Sequence, residues 1–279
     1  MDGINHLVLA GHDLDAMRAS YQGIGFTLTP PGQHPFGTGN TIIQLHGNYL
    51  ELLAVTRPAD VVEHGARSFS FSAFNRDYLK RHEGFSMVVL GSQDAAEDRR
   101  VWQAKGLPVY EPFAFSRIAS LPDGSETRVG FALAFTSSRA APWLGHFACQ
   151  HFRPEYYEQP QFLNHPNTAQ SVREVWVSGP GALDLAGHMA AFTGCEGRIG
   201  DGRVTFNTAT GSIILASDGA FRQAFGVDPP HPADGPHLAG LTIGCSSIAA
   251  LSGKGLVAAG ERLVLPPERA FGVALAFAA

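Results

Sequence analysis

The sequence predicts an α+β fold built from repeated βαβββ units. An apolar strand followed by a capped helix and further strands recurs along the 279 residues, and a glycine ends each of the clearest helices. The composition agrees, because 44% hydrophobic and 16% charged residues suit a sizeable core and carry too little charge for intrinsic disorder. We therefore expect globular units that share one order of elements.

The first unit shows the pattern most clearly, because an apolar run leads into Asp13, a residue type that caps helices. A tight turn is predicted at His46-Gly47-Asn48, between two runs typical of strands. The predicted elements are a strand at 4–10, a helix from Asp13 that ends at Gly23, an extended segment at 26–29, a Gly- and Pro-rich loop at 30–39, and strands at 41–45 and 49–55.

The later units follow the same order with weaker signals. Their strand–helix starts are predicted near Phe85, Arg173 and Leu238. The second unit has a strand at 85–90, a helix at 94–105, strands at 109–115 and 129–136 around the turn Pro122-Asp123-Gly124, and a strand at 145–152. The third has a strand at 173–178, a helix at 182–192, and strands at 204–208 and 212–217. The fourth uses 238–244, 246–251, 261–265 and 271–278.

Two segments break the repeat and set the predicted domain limits. Residues 153–170 are rich in proline, which argues against a regular element, and in aromatic residues, which argue against a free linker. We interpret them as an ordered crossover between a first domain, residues 1–152, and a second domain, residues 171–279. Residues 56–83 are a similar connection, and the run Ser68-Phe69-Ser70-Phe71-Ser72 within them is expected to cover part of a cavity.

Charge and cysteine content narrow the class of protein. A formal net charge of -5 offers no general attraction for nucleic acid or anionic lipid. The cysteines number three, which argues against a disulfide framework and favours a reducing compartment. We therefore predict a cytoplasmic protein without a membrane span. Its expected partner is a small-molecule substrate, and the sequence leaves open whether the protein forms a homodimer.

The motifs of the first unit resemble the vicinal-oxygen-chelate superfamily, and in particular its glyoxalase-like branch. The residues that carry the resemblance are Ile4-Asn5-His6-Leu7-Val8-Leu9, Gly32-Gln33-His34-Pro35-Phe36-Gly37-Thr38-Gly39-Asn40 and Tyr49-Leu50-Glu51-Leu52. The resemblance covers residues 1–152 with usable motifs. It implies two glyoxalase/dihydroxybiphenyl-dioxygenase-like barrels, each an open cup, the second of them degenerate. It also implies a divalent metal, Zn, Ni, Fe or Mn, on the floor of the cup.

Alternation along the strands identifies the candidate site. Leu50 and Leu52 should face the helices, so Glu51 should point into the cup, where a carboxylate needs a partner. Alternation leaves the direction of His6 open, and the resemblance places it inward. An imidazole and a carboxylate would then meet as metal ligands.

Gln150 is the third predicted ligand. Alternation in the last strand of the second unit places Gln150 opposite Glu51, with His151 as the competing ligand if the register differs by one residue. Ser86, which aligns with His6, is a poor ligand. In the third unit Glu174 aligns with His6, but Leu215 aligns with Glu51. The fourth unit has Gly240 and Ala276 at these two positions, so the second domain is not expected to hold a metal.

The loop at 30–39 supplies the predicted substrate contacts: His34, Phe36 and the adjoining Asn40. Glu51 and His34 are the predicted catalytic residues that move protons. We expect His34 in an exposed position, so that His34→Ala impairs ligand binding more than stability. Arg117 and Arg128 are further candidates for an anionic substrate, although surface arginines commonly have no such role.

Three functions remain open from the sequence. The first is a metal-dependent lyase or isomerase of the glyoxalase type, acting on a small carbonyl or vicinal-oxygen substrate. The second is a ring-cleaving dioxygenase, which the resemblance makes less favoured because such enzymes keep their metal in the second domain. The third is a metal-free protein that binds a small hydrophobic compound, as resistance and carrier proteins do.

Overall fold

A computed structural model describes residues 2–120 and 125–279; the predicted turn Pro122-Asp123-Gly124 lies outside the described residues. The strands are β1 (Ile4–Ala10), β2 (Gly32–Gln33), β3 (Thr38–Leu45), β4 (Asn48–Val55), β5 (Gly84–Ser92), β6 (Phe113–Ser120), β7 (Glu126–Ser138), β8 (Ala141–His151), β9 (Ala169–Ser178), β10 (Gly197–Gly200), β11 (Arg203–Thr208), β12 (Gly211–Ala216), β13 (His237–Cys245), β14 (Val257–Ala259), β15 (Arg262–Leu265) and β16 (Ala274–Ala278). The helices are α1 (Leu14–Ile24), α2 (Phe71–Leu79), α3 (Ala95–Ala104), α4 (Ala186–Thr193) and α5 (Asp218–Phe225).

The predicted α+β class and the tandem repeat are confirmed by the strand pairing. In every unit the first strand pairs in parallel with the last: β1 with β4, β5 with β8, β9 with β12 and β13 with β16. The first strands of neighbouring units pair antiparallel, β1 with β5 and β9 with β13. Strands β1–β8 therefore form the first cup and β9–β16 the second cup. One pairing, Leu238 with Phe85, connects the two within a single sheet.

Helix α1 ends two residues later than predicted. Gly25, not Gly23, is the left-handed C-terminal residue, with φ of 105°, and its amide bonds the carbonyl groups of Gln22 and Tyr21. The close approach of Asn167 explains the glycine, because an added Cβ would lie 3.1 Å from the Asn167 backbone nitrogen. The end of α1 is thus fixed by packing against the crossover.

Two helices, α2 and α5, were not predicted, and each packs into a cup. The 56–83 connection contains α2, which starts at the N-cap Ser70 and places Phe71 and Phe74 in the aromatic cluster of the first cup. Helix α5 starts at the N-cap Ser217 and buries Phe221 and Phe225 in the second cup. Each N-cap serine accepts a hydrogen bond from a backbone amide of its helix. In α2 the aromatic residues Phe71, Phe74 and Tyr78 recur at helical spacing. This spacing, and not the alternation from Ser68 to Ser72, matches the structure that forms.

The second cup is filled by side chains. Phe225 is fully buried, stacks on Phe221 with a centroid distance of 4.4 Å, and meets the Trp176 ring edge-on at 5.5 Å. Glu174, which aligns with His6, is paired with Arg262 at 3.0 Å. This half therefore keeps the topology of the first but has a packed interior.

The crossover lies across the first cup and is held by side chains of that half. The Gln44 amide donates to the Tyr157 carbonyl at 2.6 Å and accepts from the Gln159 amide at 2.9 Å. The His165 ring bridges the Thr27 amide and the Gln44 carbonyl. These contacts order residues 153–168 without a strand or an α-helix, and β9 begins at Ala169. The boundaries at residues 152 and 171 stay a prediction.

Among the described helices, none combines the length and the apolar character that crossing a membrane requires.

Packing of the second cup leads to a stability prediction. Phe225→Ala should lower the free energy of unfolding by about 3 to 5 kcal/mol, because it deletes a fully buried ring and leaves a cavity. Urea unfolding measures the change. Ile199→Ala is the control, since Ile199 is 88% exposed and its loss should cost less than about 0.5 kcal/mol. Equal effects of the two substitutions would contradict a packed second cup.

Candidate functional site

The first cup has aromatic walls and a polar floor supplied by β1, β3 and β4. Along β4, Leu50 and Leu52 pack in the main core on the helix side, whereas Tyr49 and Glu51 line the cup. The prediction that Glu51 points into the cup is confirmed. Strand alternation and the cost of exposing two leucines explain its direction.

His6 also faces the cup, and a bulge in β1 explains why alternation did not show it. The pairing of β1 with β5 shifts register between Ile4 and His6. Ile4 therefore packs in the main core while His6 turns inward, although the two residues have the same parity. The His6 ring stacks on Tyr49 with centroids 4.3 Å apart.

The Glu51 carboxyl group is the centre of the polar floor. Asn40 Nδ2 donates to Glu51 Oε1 at 2.6 Å. The Nε2 atoms of His6 and His34 lie 3.7 Å from Oε2 and 3.8 Å from Oε1, respectively. The structure thus brings together four of the predicted site residues, which are His6, His34, Asn40 and Glu51, and the fifth, Phe36, stacks on His34 at 4.9 Å.

His34 does not lie in an exposed loop, so that part of the prediction is wrong. Strands β2 and β3 form a hairpin that folds His34 over the cup, where the residue is only 6% exposed. Its Nδ1 atom bonds the Thr38 hydroxyl at 2.9 Å. Removing the His34 ring should therefore affect stability as well as any ligand.

Burial controls the protonation of this cluster. It raises the pKa of Glu51 to about 7, although the Asn40 hydrogen bond and the charge of Arg117 act in the opposite direction. Burial also lowers the pKa of His6 well below its ordinary value, with His151 and His34 adding to the effect, and lowers that of His34 to about 3. Both imidazoles are neutral near pH 7, so their contacts with Glu51 are not ion pairs.

Apart from Arg117, the remaining lining comes from residues that the sequence did not single out as site residues. The cavity measures about 40 Å³, which is room for a few water molecules. Tyr157 from the crossover borders this cavity and two outer grooves, one toward His151 and one toward Arg117. The aromatic wall residues are Phe71, Phe115, Phe131 and Phe147. The period-2 spacing of Phe113, Phe115 and Arg117 was the available signal for β6.

Gln150 is not part of the cup, and its prediction as a ligand is wrong. Its side chain accepts from the Ala95 amide at 3.3 Å and donates to the Gln93 carbonyl at 2.8 Å, beside the start of α3. Phe147 and Cys149 face the cup instead. The cup interior is itself apolar, so hydrophobicity did not distinguish the two faces of β8. His151, the competing residue, has the inward register and packs edge-on against Tyr157 at 4.6 Å.

The donor set does not fit a resident divalent metal. Besides His151 at the end of β8, the cup-facing side chains of β5 and β8 are Met87, Val89, Phe147 and Cys149, and burial raises the pKa of the Cys149 thiol. Ser86 bonds Asn75 at 2.6 Å. Within residues 2–120 and 125–279, no three His, Cys, Asp or Glu side chains are placed to hold a metal ion. Of the predicted ligands, His6 and Glu51 meet in the cup but Gln150 lies outside it, so the predicted ligand set is incomplete.

This donor set predicts weak metal binding. Protein purified without chelator should contain well under one equivalent of Zn, Ni, Fe or Mn by elemental analysis, and EDTA should leave the unfolding temperature unchanged. Buried Cys149 should remain protonated because burial raises its pKa. A stoichiometric metal whose removal lowers the unfolding temperature would contradict this assignment.

Burial of Glu51 predicts a pH-dependent stability. Its pKa rises from 4.5 in water to about 7 in the fold, so the folded state holds the proton more tightly and loses stability as pH rises from 4.5 through 7. Glu51→Gln removes this loss. The variant should match the wild type near pH 4 and exceed it by up to about 3 kcal/mol at pH 8, at 1.36 kcal/mol per pKa unit.

Urea unfolding at several pH values measures this difference. Glu196→Gln is the control because Glu196 is exposed. A Glu51→Gln variant whose advantage does not grow with pH would mean that water reaches the carboxylate.

Comparison with known structures agrees with the fold. A hypothetical protein from Staphylococcus aureus superposes with a TM-score of 0.71 at 14% identity, covering 98% of each chain. A mutant of 4-hydroxymandelate synthase from Streptomyces coelicolor gives a TM-score of 0.56 at 14% identity, covering 96% of this chain and 78% of that one. At these identities the likeness shows the fold alone. None of the curated proteins compared with the chain matches it.

The family follows from the sequence match. Residues 4–193, more than half of the chain, match the family model described as a glyoxalase-like domain. The matched segment includes the whole first cup and the crossover. The resemblance to glyoxalase-like proteins, drawn from the motifs around His6, His34 and Glu51, is thereby confirmed, and the chain belongs to the glyoxalase-like domain family.

Proposed function

We propose that the protein is an enzyme of the glyoxalase type that moves a proton on a small carbonyl compound bound in the first cup, with Glu51 as the group that takes and returns the proton. Its reaction class is isomerase, epimerase or lyase. The observation that supports this most is a buried carboxyl group bordering a small cavity, with one oxygen bonded to Asn40 at 2.6 Å.

The environment of Glu51 suits proton transfer near neutral pH. A general base works best when its pKa lies near the operating pH, and burial raises that of Glu51 to about 7. The Asn40 hydrogen bond fixes Oε1, which leaves Oε2 as the oxygen turned toward His6. The apolar walls keep bulk water from competing for the proton.

The two histidines act in this proposal as neutral groups. His6 Nδ1 lies 2.7 Å from Asn5 Oδ1, which assigns the proton to Nδ1 and leaves Nε2 as an acceptor beside Glu51. Protonated Glu51 can therefore donate toward His6 and hold the abstracted proton. The His34 ring, held by its hydrogen bond with the Thr38 hydroxyl, lies beside Oε1 on the other side of the Glu51 carboxyl group.

No step of this proposal passes through a metal, because the donor set does not fit one. A ring-cleaving dioxygenase needs two histidines and a carboxylate around one iron. His6 and His34 flank Glu51, but among the described residues no three such side chains are placed to hold a metal ion. Metal-free binding of a small molecule is the second candidate. The apolar cup-facing positions Met87, Phe147 and Cys149 favour it.

Proton exchange in D2O tests the proposal. We expect the wild type to exchange the C–H protons next to the carbonyl in at least one of a panel of three- to five-carbon oxo acids, amides and aldehydes, followed by NMR. The rate should rise with pH to a plateau above about 7, because ionised Glu51 is the base. Glu51→Gln should lower it at least 100-fold, a typical contribution of a general base.

The control is Glu196→Gln, which should leave the rate unchanged because Glu196 is exposed. Exchange that survives in Glu51→Gln would overturn the role of Glu51. Compounds that raise the unfolding temperature of the wild type without exchanging would instead support the metal-free binding protein.

A further inference from the structure

Arg117 lies at the boundary between the deep cavity and an outer groove. Its strand β6 alternates, so that Phe113 and Phe115 face the aromatic cluster and Ile118 is exposed. Arg117 shares the inward parity and lines both the 40 Å³ cavity and a groove of about 520 Å³ beneath the crossover. Asn40, Ile42 and Tyr157 border both spaces as well, so Arg117 is the cationic residue where the groove adjoins the cavity.

Among the described residues, the charge of Arg117 has no neighbour that neutralises it. Within the described parts of the chain, no carboxylate lies at ion-pair distance from the guanidinium group. Its field nonetheless reaches the floor of the cup. Burial is the largest cause of the pKa shifts of Glu51, His34 and His151, and the charge of Arg117 lowers the pKa of all three. An anion entering the cup would meet a cation already directed at it.

The space beside Arg117 is kept open by Gly32 on β2. A Cβ atom at Gly32 would lie 2.7 Å from Asn40 Oδ1 and 3.8 Å from Arg117 Nη1. Any side chain there would have to displace Asn40, the residue that holds Glu51. The glycine thus preserves an opening between the guanidinium group and the Asn40 amide.

We propose that Arg117 binds the carboxylate of the substrate, so that the substrate is a short-chain carboxylic acid whose reactive carbon lies beside Glu51; this rests on the proton transfer proposed above. A guanidinium group offers paired N–H donors that match the two oxygens of a carboxylate. The small cavity limits the part of the substrate beyond the carboxylate to a few heavy atoms. A three- to five-carbon oxo acid meets both conditions.

The chemical step then balances within the cup. Glu51 takes a proton from the carbon next to the carbonyl, the C–H electron pair forms the enolate, and the carbonyl oxygen takes the negative charge. The positive charge of Arg117 favours that anion. Return of the proton from Glu51 to carbon restores the carbonyl compound or its isomer. No oxidant or reductant is consumed.

Arg128 provides a matched control on the same hairpin. It is paired in register with Ile118, is exposed, and donates to the Ser116 hydroxyl at 2.9 Å on the outer face. Arg128→Met and Arg117→Met therefore remove the same charge from opposite faces of one sheet. Only the second removes it from the cup.

The experiment compares an acid with its uncharged analogue. Pyruvate and pyruvamide are followed by methyl proton exchange in D2O, and propionate binding is measured by calorimetry. For the wild type we expect a KM at least tenfold lower for pyruvate than for pyruvamide. Arg117→Met should raise the pyruvate KM and weaken propionate binding at least tenfold, with less than a twofold change for pyruvamide. Arg128→Met should change none of these values.

The outcomes separate this proposal from the proposed function. Propionate that binds the wild type, and binds Arg117→Met at least tenfold more weakly, would support the role of Arg117 even if no compound exchanges. Exchange with equal KM for acid and amide would overturn the role of Arg117 and leave proton transfer intact. If Arg117→Met fails to fold, the wild type and the charge-retaining variant Arg117→Lys decide. A wild type that does not prefer pyruvate to pyruvamide overturns the proposal. So does an Arg117→Lys variant whose KM for pyruvate is as high as its KM for pyruvamide.

Discussion

The first cup depends on holding a carboxyl group away from water. Burial of Glu51 raises its pKa to about 7, and one short hydrogen bond from Asn40 replaces part of the lost hydration. That bond ties β3 to β4 on the face that both strands turn inward. The stacking of His6 on Tyr49 closes the floor from the side of β1. The polar floor is therefore one unit, in which each member constrains the position of the next.

The sequence predicted the fold and the inward direction of Glu51, but it did not predict which other residues line the cup. Regular alternation in β4 was enough to orient Glu51, because Leu50 and Leu52 had to enter the core. In β8 the same reasoning failed for Gln150, since a cup lined with aromatic rings makes both faces of that strand apolar. The direction of His6 depended on a bulge, a departure from period 2 that a hydrophobic pattern does not reveal.

The two halves show how far side-chain packing can diverge within one topology. Both pair their first and last strands in parallel and both receive a helix after the first unit. In the second half Phe221 and Phe225 of α5 fill the interior, and Arg262 neutralises Glu174. In the first half α2 contributes Phe71 to a wall and leaves space above Glu51. Side-chain volume at a few inward positions, not strand order, distinguishes the packed interior of the second cup from the cavity of the first.

The two hydrogen bonds of Gln44 have a consequence for the crossover. They fasten it over the first cup, so the segment that joins the halves also supplies the Tyr157 wall. The crossover therefore both links the two halves and encloses the cavity. A fragment that stopped at residue 152 would keep every strand of the first cup but lose its cover. Solvent would then reach Glu51, and its acidity would return toward that of an ordinary surface glutamate.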